Sequence, residues 1–367
     1  MTVNEILRCF HDIAPLSLQE SYDNSGLLIG DENQIVSKAL VCIDITEDVI
    51  DEAIKNECGL IISHHPIIFK GLKKLVPSEF VERIVIQAIK NDIAIIAMHT
   101  NLDNSSTGVN FKIAEKMKLK SASVLQPVEG VLKKIVTFCP HEFADRVREA
   151  MEKKGAGNIG NYDGCSFNAT GIGTFRANEE ANPFVGQKHH LHEEPETRIE
   201  MIVPDYHVRA VISALVEAHP YEEVAYDIYQ LDNKFHSVGA GIIGLLPDEL
   251  TEVEFLEFIQ HTFGTIGLRH TTLTGKKIKK VAVCGGSGAF LIHHARTAQA
   301  DAFVTADIKY HDFFEADGKM LLVDAGHFET EQFTKELIVE IIHKKFPTFA
   351  VLNSGVNTNA VCYFNKK

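Results

Sequence analysis

The chain has 367 residues, enough for two or three domains with substantial cores, and its 45% hydrophobic and 23% charged residues are ordinary for a soluble globular protein. Its formal net charge of −14 argues against a general binder of nucleic acid or anionic membrane. Seven scattered cysteines, an odd number with no CxxC pair, exclude a zinc knuckle and fit reduced thiols better than a disulfide framework. With no apolar run of membrane-spanning length and no signal-peptide pattern, a cytoplasmic location is expected.

In chain order, Val3, Ile6, Leu7, Phe10 and Ile13 share one helical face, preceded by a Thr2/Glu5 capping box. From Lys38, apolar strands ("KALVCIDIT", "LIISHHP", "IAIIAMHTNLD") alternate with helices ("EDVIDEAIKNE", "SEFVERIVIQAIK", "GVNFKIAEKM"), the pattern of an α/β layer with a mostly parallel sheet. The last third repeats it: "KKVAVCGGSG", "DAFVTADIKYH" and "KMLLVDAGHFE" are strands, and "AFLIHHARTAQ" and "TEQFTKELIVEIIHKKF" are helices. "LIISHHP" falls opposite "AFVTADIKYH" and "AIIAMHTNLD" opposite "LLVDAGHFE", which predicts two similar lobes facing each other over one site.

The middle carries a different duplication. "KKIVTFCPHEFADRVREAMEKKG" resembles "TRIEMIVPDYHVRAVISALVEAH", each a strand, a proline (Pro140, Pro204) and an amphipathic helix. Val208, Val211, Ile212, Leu215 and Val216 form the predicted apolar face of the second helix. Two βαβ-like halves imply a ferredoxin-like α+β domain, with "RANEEANPFVGQKHHLHEEPETR" as a long polar loop between them. The predicted organisation is one discontinuous α/β metal-binding domain, its first lobe at residues 1–127 and its second at 236–367, with an inserted domain at 128–235.

Chemistry concentrates at strand ends. His64 and His65 stop an apolar run, and Pro66 bends the chain so that both rings can turn to the sheet's C-terminal edge. Asp103 ends the next strand segment, and His327 and Glu331, four apart after Gly326, share one face of a helix's first turn. Imidazoles and carboxylates together suit zinc, manganese or iron, and five such ligands suit a pair of ions better than one closed tetrahedral site. His99, Asp307 and His311 are the candidate catalytic residues. Asp307, or Asp44, would accept the second N–H of a metal-bound imidazole, and His99 or His311 would act as general base. The Gly-rich stretch Cys284–Gly288 reads as a tight strand-to-helix turn, or as an anion cradle that lacks the lysine of a P-loop. His189, His190 and His192 read as a solvated polar loop.

"SHHP", "HTNLD", "GHFETE", "YDNSGLLIG" and "CGGSGA" together resemble the NIF-three-like dinuclear-metal family, whose members are often labelled GTP cyclohydrolase I type 2 homologs. The resemblance spans nearly the whole chain, and the insert is similar to the PII/CutA-like domain of longer bacterial members. It implies that His64, His65, Asp103, His327 and Glu331 hold two divalent ions per chain, zinc first among the candidates, and that the chain forms a homohexameric ring with the sites facing an interior cavity. Tyr22, Asp23 and Asn24 match the family motif near the site, and their local reading is a turn. One departure is Ala306, where relatives commonly carry glycine before the acidic residue. The function expected is a metal-dependent hydrolase of a phosphorylated or nucleotide-like small molecule. The alternative is a non-enzymatic metal-storage, metal-delivery or regulatory scaffold.

Overall fold

The computed structural model describes residues 1–364. They fall into two units, residues 1–127 with 237 onward, and residues 128–236.

The first unit contains two sheets of similar plan. In one, Lys38–Cys42, Leu60–Ser63 and Ala94–Ala97 run parallel side by side, with Gly26–Ile29 antiparallel at one edge and Ala350–Asn353 parallel at the other. In the other, Lys277–Ser287, Ala302–Ala306 and Leu321–Asp324 are the parallel trio, flanked by antiparallel Arg269–His270 and Phe235–Thr251, with Lys120–Val128 beyond.

These strands are apolar on consecutive residues because both faces are covered. Val41, Ile62 and Ile96 from one sheet and Val283, Val304 and Val323 from the other enter a single central core. The helices Val3–His11, Val109–Lys116, Glu252–Phe263 and Thr334–Lys345 contribute Phe10, Ile113, Phe255 and Ile342 to it. The alternate residues Leu40, Ile61 and Ile95 face an outer core with helices Glu47–Lys55 and Phe80–Lys90. Ala282, Phe303 and Leu322 do the same on the far side of the second sheet. The predicted N-terminal helix is present with its Thr2/Glu5 capping box. No helix among the described residues is long and apolar enough to cross a membrane.

The second unit is a four-stranded antiparallel sheet in the order Phe167–Arg176, Leu191–Pro204, Leu132–Pro140, Tyr226–Gln230. Helices Ala144–Glu152 and Asp205–Ala218 pack on one face around Ile135, Ile199, Met201, Val147, Val211 and Leu215. This is the ferredoxin-like βαββαβ arrangement. Two local expectations are corrected. The stretch read as a long loop is a loop only to His190, because "LHEEPETR" begins the strand Leu191–Pro204. Val216 is exposed rather than on the buried face, which Val211, Leu215 and Ala218 form, with Val208 and Ile212 partly buried.

Candidate metal centre

Both parallel trios point their C-terminal ends at a shared cavity of about 1010 Å³, lined by residues of both lobes. The Leu60–Ser63 strand ends at His64 and His65, whose backbone N–H groups still donate to Cys42 and Ile43. Neighbouring side chains on a regular strand diverge, yet these two rings lie 4.9 Å apart, both turned to the sheet edge. Asp103 does not end a strand. After Ala97 the chain forms a single helical turn, Thr100–Asp103, that returns the carboxylate toward His64, 3.7 Å from its Nε2.

The second lobe supplies the rest from the turn His327–Glu331. Spacing of four stacks His327 Nε2 on Glu331 Oε2 at 3.1 Å. Glu331 Oε2 also lies 3.0 Å from His65 Nε2, and Oε1 lies 3.5 Å from His64 Nε2. His65 Nε2 and His327 Nε2 face each other at 3.3 Å. His64 and Glu331 are buried. One ligand atom each from His64, His65 and Glu331 falls within 4.8 Å of the others, a group that could hold a metal ion.

The second ring nitrogens fix the tautomers. His64 Nδ1 lies 2.7 Å from the carbonyl oxygen of Met98, which can only accept, so that nitrogen carries the proton. His65 Nδ1 donates to Asp44 at 2.7 Å, His327 Nδ1 to Asp307 at 2.6 Å, and His99 Nδ1 to Asp23 at 2.7 Å. In the neutral rings every Nε2 is then a lone pair, as in imidazoles oriented for metal. Buried Nε2 of His64 and Oε2 of Glu331 have no hydrogen-bond partner, and such orphaned atoms are costly unless a cation meets them.

Electrostatics say the same. Burial pulls the His65 imidazole down, but its bond to Asp44 and the nearby Glu331 carboxylate outweigh this and push it up to about 10. His327 is likewise pushed up to about 9 by Glu331 and Asp307 against burial. Burial would raise the Glu331 carboxyl, yet His64, His327 and His65 hold it well below the usual range. Asp103 is raised, chiefly by burial. The pocket therefore demands positive charge at its centre.

Among the candidate catalytic residues, His99 lines the cavity with its ring 5.5 Å from His64 and 5.4 Å from His65. Asp307 holds His327. Its φ of +55° is a conformation that Asp tolerates, and since the positive φ falls there and not on Ala306, alanine in place of glycine needs no strained backbone. His311 is exposed, lies against Tyr310 and Phe314, and is not among the residues lining the cavity.

The Gly-rich turn serves the ligand set. The Gly285 and Gly286 N–H groups already donate to Asn110 and Thr330. Gly286, at φ +60°, is where a Cβ would collide with Glu331 Oε1 and crowd His327 Nε2, so the glycine makes room for the carboxylate. Asp23, whose local reading is a turn, has a fully buried side chain that accepts from His99 and Thr100. No spacing rule relates position 23 to 99, so only the fold reveals that pair. In the second unit, His189 meets Glu179 and His192 meets Glu194, as local surface pairs.

Two α/β lobes closing over converging imidazoles and carboxylates define a protein built around a candidate divalent-metal centre. The sequence profile of DUF34/NIF3 (NGG1p interacting factor 3) matches residues 1–360, and the chain belongs to that family. A Halalkalibacterium halodurans protein named "GTP cyclohydrolase 1 type 2 homolog" is 40% identical over 362 residues, 96% of each chain. One of the same name from Bacillus subtilis is 39% identical over 336 residues, 90% of this chain and 89% of its own. The crystal structure of a Bacillus cereus protein related to NIF3 matches with a TM-score of 0.87 at 38% identity, covering 99% of each chain.

Proposed function

We propose that this chain is a dinuclear divalent-metal hydrolase acting on a phosphorylated or nucleotide-like small molecule. The observation that carries the reading is the arrangement of the imidazoles, Nδ1 donated outward and Nε2 bare and inward, around the buried Glu331 carboxylate. His64, His65, Asp103, His327 and Glu331 would hold the ions, and their nitrogen and oxygen donors suit zinc, with manganese or iron as alternatives. Two bound ions would supply Lewis-acid polarisation and acidify a water near neutral pH.

The chain's own groups have definable parts. Asp44 and Asp307 fix the rings of His65 and His327. His99, held by Asp23 through Nδ1, would offer Nε2 as a proton acceptor beside the ligand set. A cavity of about 1010 Å³ admits a nucleotide-sized molecule. The relatives' printed name would make the substrate GTP, whereas the proposal adopts only the wider class. Assembly as a homohexameric ring is part of the reading, carried by the family resemblance.

The test is metal content by mass spectrometry on wild type, His65→Ala and Glu331→Ala, followed by a phosphoester and nucleotide screen. About two ions per chain, lost or halved in the variants, with turnover of one substrate class, is expected. Absence of metal, with none taken up from added zinc, manganese or iron, sinks the proposal. Metal-loaded protein inert across the panel replaces hydrolysis by storage or delivery.

A further inference from the structure

The Tyr22-Asp23-Asn24 turn is built more firmly than a connection between strands requires. Asp23 is clamped by His99 Nδ1, the Thr100 N–H and the Thr100 hydroxyl. Asn24 Nδ2 donates to the carbonyl of Ile68 at 2.6 Å, tying this turn to the loop after the histidine pair. Between the two anchored segments, Tyr22 and Phe69 stack with ring centroids 6.3 Å apart and an interplanar angle of 24°. Both rings line the cavity, yet Tyr22 is 61% and Phe69 46% exposed. Aromatic faces held in water at a cavity mouth, rather than folded into the core, mark a binding surface.

From there a continuous series of rings leads to the ligand set. Phe69 meets His99 edge-to-face at 5.9 Å, and His99 meets His64 at 5.5 Å and His65 at 5.4 Å. A flat group resting on Tyr22 and Phe69 therefore has its polar substituents next to the imidazoles. The second lobe adds another exposed ring, Phe290, to the same lining.

We infer that Tyr22 and Phe69 form a stacking platform, so that the substrate carries a planar heteroaromatic ring beside the group that reaches the metal centre. This deepens the proposed function and rests on it. Stacking accepts any flat π-face, so the platform selects for a ring system while the choice among rings lies with polar contacts elsewhere.

Because the chain contains no tryptophan, Phe69→Trp gives a single reporter at the platform in the full-length, metal-loaded protein. Guanosine 5′-monophosphate is expected to quench its emission saturably, and ribose 5-phosphate to leave it unchanged. Adding Tyr22→Ala should raise the half-quenching concentration about tenfold, and Tyr22→Phe should restore it. Equal responses to both probes, or no effect of Tyr22→Ala, overturn the inference. So does a change in molar mass by light scattering with Tyr22→Ala at unaltered nucleotide affinity, which would mean that a second copy covers the rings. Metal content measured on the same samples separates the two readings. Metal present without quenching removes the platform alone, and quenching without metal removes the hydrolase alone.

Discussion

His65 and His327 meet Nε2 to Nε2 at 3.3 Å although 262 positions separate them in the chain. Each ring gives its other nitrogen to a carboxylate, Asp44 on one side and Asp307 on the other. Two neutral lone pairs at that distance repel, so a cation or a proton belongs between them. Asp44→Asn should weaken metal affinity about 10- to 100-fold, since the outer carboxylate sets ring orientation and basicity. Competition against a chelator of known affinity measures it, and an unchanged affinity would detach Asp44 from the site.

Gly286→Ala should be more disruptive than its size suggests. The residue would pay about 1 kcal/mol for a left-handed backbone, and its methyl would displace the Glu331 carboxylate. Lower metal content together with a lower Tm is expected. Full metal content at wild-type stability would show that the turn relaxes freely.

Asp23 gives the molecule an acid limit. Burial raises its carboxyl, but the bonds from His99, Thr100 and the Asn24 N–H win and hold it well below its ordinary 3.8. A depressed folded value means stability fully present above the unfolded value and lost as pH falls from there toward the folded one. The Tm should therefore drop below about pH 4. In Asp23→Asn, stability at pH 7 should be lower by about 1–3 kcal/mol and the acid limb flatter. Thermal denaturation between pH 2.5 and 7 reads both.

His311→Ala should leave metal content and Tm unchanged, because that side chain is exposed and faces Tyr310 and Phe314 rather than the cavity. Loss of metal in this variant would place it within reach of the centre.

Why some of this was legible and some was not follows from burial. Strands covered on both faces leave an unbroken apolar signal, and in such a run His64 and His65 stand out as polar residues at one edge. The segment from Leu191 misled because its strand is half solvated and contains Pro195. The register shows why proline is tolerated. Glu196–Glu200 pairs on both sides, but Leu191–Pro195 pairs only with Phe167–Arg176, so the missing N–H costs no second ladder. Asp103 misled for another reason, since nothing in "IAIIAMHTNLD" marks where the strand becomes the turn Thr100–Asp103. The spatial role of Gly286 rests on a tertiary clash with residue 331, which no local pattern encodes.

The division of the ligand set between the lobes bears on how the protein is made. On the ribosome, a nascent chain that has emerged through residue 127 carries His64, His65 and Asp103 but not the turn His327–Glu331. Such a half-site lacks the buried carboxylate that all three imidazoles share. An ion that binds only the completed set stabilises only the finished fold, in proportion to the logarithm of its free concentration over Kd. If the set binds an ion in the cell, its supply would thus act on the last stage of folding, on lobes that already share one central apolar core.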